Sequence, residues 1–302
     1  MRVIVHGGAD SPPEHPESRR AVLDRAADCG AAESTPTDAV CSAIGVLESD
    51  PQFNAGVGAA IQADGYARTD AGLMTDDLEV GAACAMPGVE HAVEVARIVK
   101  TQTPHVLVGG VHAVDLAESF GVEAGVNLDT PATRDRFEKE RSRVPIPADV
   151  RAQAKWVNDR FGDETESETD SVPSGTDHDT VGAVATDGKS IAAATSSGGR
   201  WFALAGRVGD VSQVGSGFYC TPAGGASATG AGEDIARVTL SRRAVQLLET
   251  GIDATTATET AIEEFEDLTG SQAGIILLTK SGDVGSAFNS PAMATSLAGT
   301  VD

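Results

Sequence analysis

The chain has 302 residues, 41% of them hydrophobic, and carries 45 Asp or Glu against 22 Lys or Arg, a formal net charge of -23. That apolar share supplies a core and excludes a disordered acidic protein, while an acidic balance with no basic face excludes a nucleic-acid partner. Only 5 of the bases are Lys; so self-repelling a surface suits molar salt, which screens like charges over short distances, and a salt-rich cytoplasm is the expected compartment.

The first strand is expected over Arg2–Val5, ended by His6-Gly7-Gly8. Its apolar stretch, Val3 to Val5, is too short for a signal peptide. A connector with Pro12, Pro13 and Pro16 leads to a helix from about Ser18 to Ala31, and Thr37-Asp38 opens a second with Val40, Ile44 and Leu47 on one face. A buried strand follows at Glu79–Ala85, then a helix over Val89–Lys100. Beyond Gly121 a long polar segment contains a charged helix over Val150–Phe161. The run Asp163 to Asp170 is acidic and of low complexity, so a mobile linker is expected over 162–177.

The composition then changes. Val181–Thr186 and Ile191–Thr195 read as buried strands joined at Asp187-Gly188. Helices are expected over Asp234–Thr250 and Ala254–Leu268, then strands at Ala273–Thr279 and Val284–Asn289. Strands grouped at either end, with helices between, suggest stacked layers of an α+β fold. The longest aliphatic run, Ile275 to Leu278, is far too short for a membrane span. Cys29, Cys41, Cys84 and Cys220 form no CxxC pair, so neither zinc nor a disulfide framework is indicated. No GxGxxG, GxSxG or HExxH occurs, so dinucleotide binding, a serine-hydrolase elbow and a zincin helix are unsupported.

The most informative segment is Asp177-His178-Asp179-Thr180-Val181-Gly182, where the acidic linker ends at a threonine that begins a buried strand. A threonine hydroxyl is a weak nucleophile, and one way to activate it is with its own α-amine, freed by cutting the preceding peptide bond. A threonine opening a strand is also an ordinary β-former, and spacing alone leaves both readings open.

Six motifs in order carry a family resemblance. They are Val5-His6-Gly7-Gly8-Ala9, the loop Leu47 to Gly58 with Phe53-Asn54-Ala55-Gly56, Asp64-Gly65 to Asp70-Ala71 with Met74, Thr195 to Gly199, Gly206 to Asp210, and Thr229 to Glu233. With the segment at Thr180, they resemble the plant-type L-asparaginases and isoaspartyl peptidases, N-terminal-nucleophile hydrolases. The resemblance implies a single domain folded as a four-layer αββα sandwich. It further implies self-cleavage between Asp179 and Thr180 into pieces 1–179 and 180–302, assembled as a homodimer of the processed unit.

It also implies roles. Thr180 attacks first the Asp179 carbonyl and then the substrate amide, its freed amine acting as base. Ser197, where the family usually has Thr, supports it. Arg207 and Asp210 grip the α-carboxylate and α-ammonium of an Asn or β-aspartyl dipeptide, with Gly230 and Gly232 beside them. Thr229 and Gly230 form the oxyanion hole. His6, Gly7 and Asn54 shape the site. No cofactor is needed for the chemistry, but backbone carbonyls of Leu47, Glu48, Asp50, Phe53, Ala55 and Val57 resemble a sodium-binding loop, a suitable ligand set for a hard cation.

Two features pull apart within the family. His178-Asp179-Thr180 is similar to the triplet of the sister glycosylasparaginases, where plant-type enzymes usually have Gly before the nucleophile. Gly198-Gly199 and the His6-Gly7-Gly8 opening match the asparaginase branch. L-asparaginase with isoaspartyl dipeptidase activity is the leading expectation; a glycosylasparaginase-like amidase, a threonine endopeptidase and a non-catalytic amino-acid-binding homologue are the alternatives.

Overall fold

The computed structural model describes residues 1–13, 15–145, 149–161 and 179–301. The linker expected at 162–177 lies outside them. Strand β1 (Arg2–Asp10) runs longer than expected, carrying His6-Gly7-Gly8 inside the sheet. Helices α1 (Pro16–Ala31) and α2 (Pro36–Glu48) follow. Thr35 caps α2 by accepting the Asp38 N–H, and Pro36 starts its first turn, where no N–H is needed. Next come β2 (Arg68–Thr75), β3 (Val80–Pro87), α3 (Ala92–Gln102), β4 (Leu107–Gly109) and α4 (Val111–Ser119). The polar segment holds α5 (Pro131–Arg141), opened by a Thr130/Thr133 capping box, and α6 (Val150–Phe161).

The remaining elements are β5 (Val181–Thr186), β6 (Ile191–Ser197), β7 (Phe218–Thr221), β8 (Gly224–Gly230), α7 (Gly232–Val238), α8 (Leu240–Glu249), α9 (Ala254–Thr269), β9 (Ala273–Thr279), β10 (Val284–Phe288) and β11 (Ala292–Gly299). They make two sheets, a seven-stranded one ordered β11-β1-β5-β6-β2-β3-β4 and a four-stranded one ordered β10-β9-β8-β7. β5 is a central strand, antiparallel to both β1 and β6. Thr180 therefore stands at the end of an interior strand, with His6 opposite Gly182 and Ser196 opposite Val181.

Strand periodicity divides the core. Val3, Val5, Val181, Ala183 and Ala185 pack with Leu23, Ile44, Leu47 and Val95 of the helices on one face. Ile4, Val184, Ile191 and Ala193 point the other way, onto Phe218, Cys220, Ile276 and Leu278 between the sheets. The far face of the small sheet, with Ala226, Ala228, Ile275 and Leu277, packs on Leu240, Ala244, Ala261 and Phe265. Each large aliphatic side chain so buried contributes about 1.5–3 kcal/mol, so a charge at Ile276, between the sheets, would split the layers.

The single helix expected over Asp234–Thr250 is two. Thr239 adopts the left-handed conformation, φ 54 and ψ 57, costly for a β-branched residue. The break seats α8 so that the Arg242 and Ser241 N–H groups donate to Gly215 and Ser216 carbonyls, at 2.8 and 3.3 Å.

Candidate active site

Thr180 and Ser197 end adjacent strands β5 and β6, and both are nearly buried. The Thr180 hydroxyl donates to Ser197 Oγ at 3.3 Å, and the Gly199 N–H donates to the same oxygen at 3.0 Å. Ser197 Oγ in turn lies 3.4 Å from the Asp179 carbonyl oxygen, as a donor to it. The two hydroxyls thus sit at the Asp179–Thr180 peptide bond. Ser197 is the last residue of strand β6.

Thr229 and Gly230 close β8 of the other sheet, so the site lies where the two sheets face each other. Thr229 Oγ1 is fully buried and has no hydrogen-bond partner. An orphaned buried hydroxyl costs stability; here it sits beside Gly230, which with Thr180 lines one narrow cavity.

Ser197, Gly199, Arg207, Gly209, Asp210, Val211 and Asp70 complete that cavity. Asp210 is buried, its Oδ2 has no partner, and burial pushes its pKa up to about 7 against the pull of Arg207. Gly232 leaves the space: a Cβ there would stand 2.7 Å from Asp210 Oδ1 and 3.0 Å from Arg207 Nη2. The Arg207 fork is already engaged, with Nε and Nη2 donating to the two oxygens of Glu233 at 2.8 and 2.7 Å. Burial would raise Glu233, but the hydrogen bonds and charge of Arg207 hold it down at about 2.

Beneath Thr180 a polar bridge joins the sheets. Ser227 Oγ lies 2.8 Å from His6 Nε2 and 3.2 Å from Thr195 Oγ1, which donates to the Gly217 carbonyl at 2.8 Å. Complete burial pushes the His6 imidazole down to about 3. It is therefore neutral near pH 7, which suits a shaping role better than an acid–base one. Asn54 reaches further. Its Nδ2 donates to the carbonyls of Asp179 (2.9 Å) and Gly199 (2.6 Å), and its Oδ1 accepts the Ala60 N–H at 2.7 Å. Gly7 contributes its carbonyl, which accepts from Arg19.

Three of the loop carbonyls expected to face a cation already accept an N–H: Leu47 from Asp50, Glu48 from Val57, and Asp50 from Phe53. The Glu48 side chain has its own task. It is fully buried, accepts Ser196 Oγ at 2.6 Å and the Val93 N–H at 3.1 Å, and so pins β6 beside Ser197.

An asparaginase family profile matches residues 1–301. The chain is 35% identical over 302 residues to the plant-type L-asparaginase of Pyrococcus abyssi, covering 97% of this chain and 94% of that protein. It is 35% identical to the plant-type L-asparaginase of Thermococcus kodakarensis, over 96% and 94%. To the isoaspartyl peptidase/L-asparaginase of Macaca fascicularis it is 33% identical, over 93% and 87%. The chain belongs to the asparaginase family.

Two acids of this asparaginase-family site carried no role in the sequence reading. Glu233 stood only as the last residue of a motif, and its reach back to Arg207 spans 26 positions, beyond any local pattern. Asp70 closes a motif without chemistry of its own to read; it is buried on β2 opposite Ser197 and accepts the Ala85 N–H at 2.6 Å. Burial pushes it up to about 6, against the Ala85 N–H and the charge of Arg207. A larger cavity, about 600 Å³ between α3 and Phe120–Glu123, contains none of these residues.

Proposed function

We propose that this chain is an amidohydrolase, an L-asparaginase with isoaspartyl dipeptidase activity, that acts through Thr180 after cutting itself before that residue. The observation that carries the reading is the convergence of Thr180, Ser197, Arg207, Asp210 and Gly230 on one cavity, with the orphaned Thr229 hydroxyl adjoining. A narrow cavity bearing an acid and a guanidinium suits a small zwitterion: the Asp210 carboxylate faces the α-ammonium and Arg207 the α-carboxylate. To bind, the substrate carboxylate shares or displaces Glu233 on Arg207.

In the cut enzyme the Thr180 amine takes the hydroxyl proton as Oγ attacks the side-chain carbonyl carbon. The oxyanion is held by the Thr229 hydroxyl and Gly230 N–H. Collapse breaks the C–N bond, and the amine returns the proton to the departing ammonia or α-amine. Water then hydrolyses the ester, releasing aspartate and restoring Thr180.

Several further features belong to this reading. The packing of α1–α3 on the large sheet, of the two sheets on each other, and of α8 and α9 on the small one supports a four-layer αββα sandwich. The all-oxygen carbonyl set of the Leu47–Val57 loop suits sodium, and the carbonyls of Leu47, Glu48 and Asp50, which each accept an N–H, keep a second lone pair for it. A homodimer of the processed unit in a salt-rich cytoplasm follows the family and the charge of -23. No helix among the described residues is long and apolar enough to cross a membrane.

A second reading, glycosylasparaginase-like cleavage, is favoured by one observation, Asp179 before the nucleophile. Ammonia or aspartate release at molar KCl from Asn, β-aspartyl-leucine and aspartylglucosamine in parallel decides between them. The expected order puts Asn and β-aspartyl-leucine above aspartylglucosamine; the reverse order overturns the assignment.

A further inference from the structure

Arg19, on α1, is 160 positions from Asp179 and meets it in space: Nη2 lies 2.6 Å from Asp179 Oδ2. The same nitrogen donates to the Gly7 carbonyl, Nη1 donates to the Gln52 carbonyl at 3.0 Å, and the guanidinium stacks 4.6 Å from the Phe53 ring centroid. The pair is mostly shielded, with side-chain exposures of 13% and 20%. Gly8 makes the seat: at φ +110 it brings bare backbone against Asp179, and a Cβ there would overlap the carboxylate. Arg19 therefore joins the His6-Gly7-Gly8 strand, the Gln52-Phe53-Asn54 loop and the residue on the acyl side of Thr180.

We infer that Arg19 is a positioning residue for self-cleavage, neutralising the Asp179 carboxylate and fixing it while its own main-chain carbonyl is attacked. The inference rests on the self-cleavage reading above. In that step the bond from Thr180 Oγ to the Asp179 carbonyl carbon forms, the peptide C–N bond breaks, and the hydroxyl proton passes to the freed amine. Water then splits the ester into the Asp179 α-carboxylate and the Thr180 hydroxyl. During attack, negative charge develops on the Asp179 carbonyl oxygen, which Asn54 Nδ2 contacts at 2.9 Å. A bare carboxylate on the same residue would oppose that charge in a partly desolvated site. Arg19 cancels it and, with Asn54, holds the acyl residue at two points, side chain and carbonyl. A chain with Gly in place of Asp179 would have no such charge to cancel.

The test is a double-mutant cycle on full-length chains made in a cell-free system at molar KCl, following conversion from one band to two by denaturing electrophoresis. Arg19→Met should cut about tenfold more slowly than the parent, whereas Asp179→Gly and Arg19→Met/Asp179→Gly should cut at equal rates. Arg19→Lys should fall between, keeping charge but losing the fork. Equal cutting by Arg19→Met and parent, or the same slowing in both backgrounds, overturns the inference, because contacts to Gly7 and Gln52 alone would then explain Arg19. Melting of Arg19→Met in an uncleavable Thr180→Ala chain separates slow cutting from failed folding. If it unfolds, Arg19→Gln, which keeps donors for those carbonyls, replaces it with the same two outcomes. A parent that stays one chain overturns the self-cleavage reading itself, and this inference with it.

Discussion

Asn54 Nδ2 donates to the main-chain carbonyl of Asp179 at 2.9 Å, so the loop after α2 grips the carbonyl on the acyl side of Thr180. The amide is fixed from its other end by the Ala60 N–H on Oδ1. A donor locked in place before the reaction stabilises a developing oxyanion without reorganisation. Asn54→Ala should therefore slow conversion to two pieces by about 100-fold, followed as bands over hours. Conversion at the parental rate would remove Asn54 from the cleavage step.

Ser197 offers the Thr180 hydroxyl a partner at 3.3 Å. Ser197→Ala removes it and also leaves the Gly199 N–H without its acceptor, so the matured fraction should lose about 10–100-fold in kcat with a smaller change in KM. Ser197→Thr keeps the oxygen and should retain most activity. If the Ala variant turns over like the parent, Thr180 needs no second hydroxyl.

Asp210 gives a pH dependence whose sign follows from burial. Burial raises its pKa to about 7, above the 3.8 of a free side chain. Affinity for the α-ammonium should fall as pH drops through about 7, read as a rising inhibition constant for aspartate. Stability runs the other way. A group raised on folding contributes stability fully present below pH 3.8 and lost as pH rises through about 7. Asp210→Asn should therefore melt higher than the parent at pH 8 while binding aspartate worse. His6, held near 3 rather than 6.5, opposes this with stability lost as pH falls below 6.5, so only the difference between parent and variant isolates Asp210.

Arg207 is the case where charge and geometry separate. Arg207→Lys keeps the cation but loses the fork now closed on Glu233. KM for Asn should rise about tenfold or more, with kcat falling too if the grip aligns the amide. Self-cleavage needs no bound amino acid, so the variant should still give two bands. Normal maturation with parental KM would take Arg207 out of the site.

The local patterns that sequence exposes are those written in neighbouring residues. Val150–Phe161 and Ala273–Thr279 form over the expected bounds, one a charged helix, the other a continuous apolar run. β8, Gly-Gly-Ala-Ser-Ala-Thr-Gly, goes unread because its residues have little β-preference; burial between layers makes it a strand. β2 and β11 went unread for a like reason, since their pairing with β6 and β1 is set by distant chain. For the site, the motif residues Thr180, Ser197, Arg207 and Asp210 do meet at one cavity. The contacts that tune them do not show locally: Glu233 on Arg207, Asp70 opposite Ser197, and Arg19 on Asp179 join residues far apart in sequence.

The central claim is that the Thr180 hydroxyl both cuts the chain and hydrolyses the substrate. The direct measurement is purification of parent and Thr180→Ala chains at molar KCl, with intact mass, N-terminal sequencing of any fragments, and ammonia release from Asn. The parent should give pieces of 179 and 123 residues, the smaller beginning at Thr180, and release ammonia. Thr180→Ala should remain one inactive chain. A Thr180→Ala chain that is cut at the same bond, or that releases ammonia at the parental rate, would contradict the account.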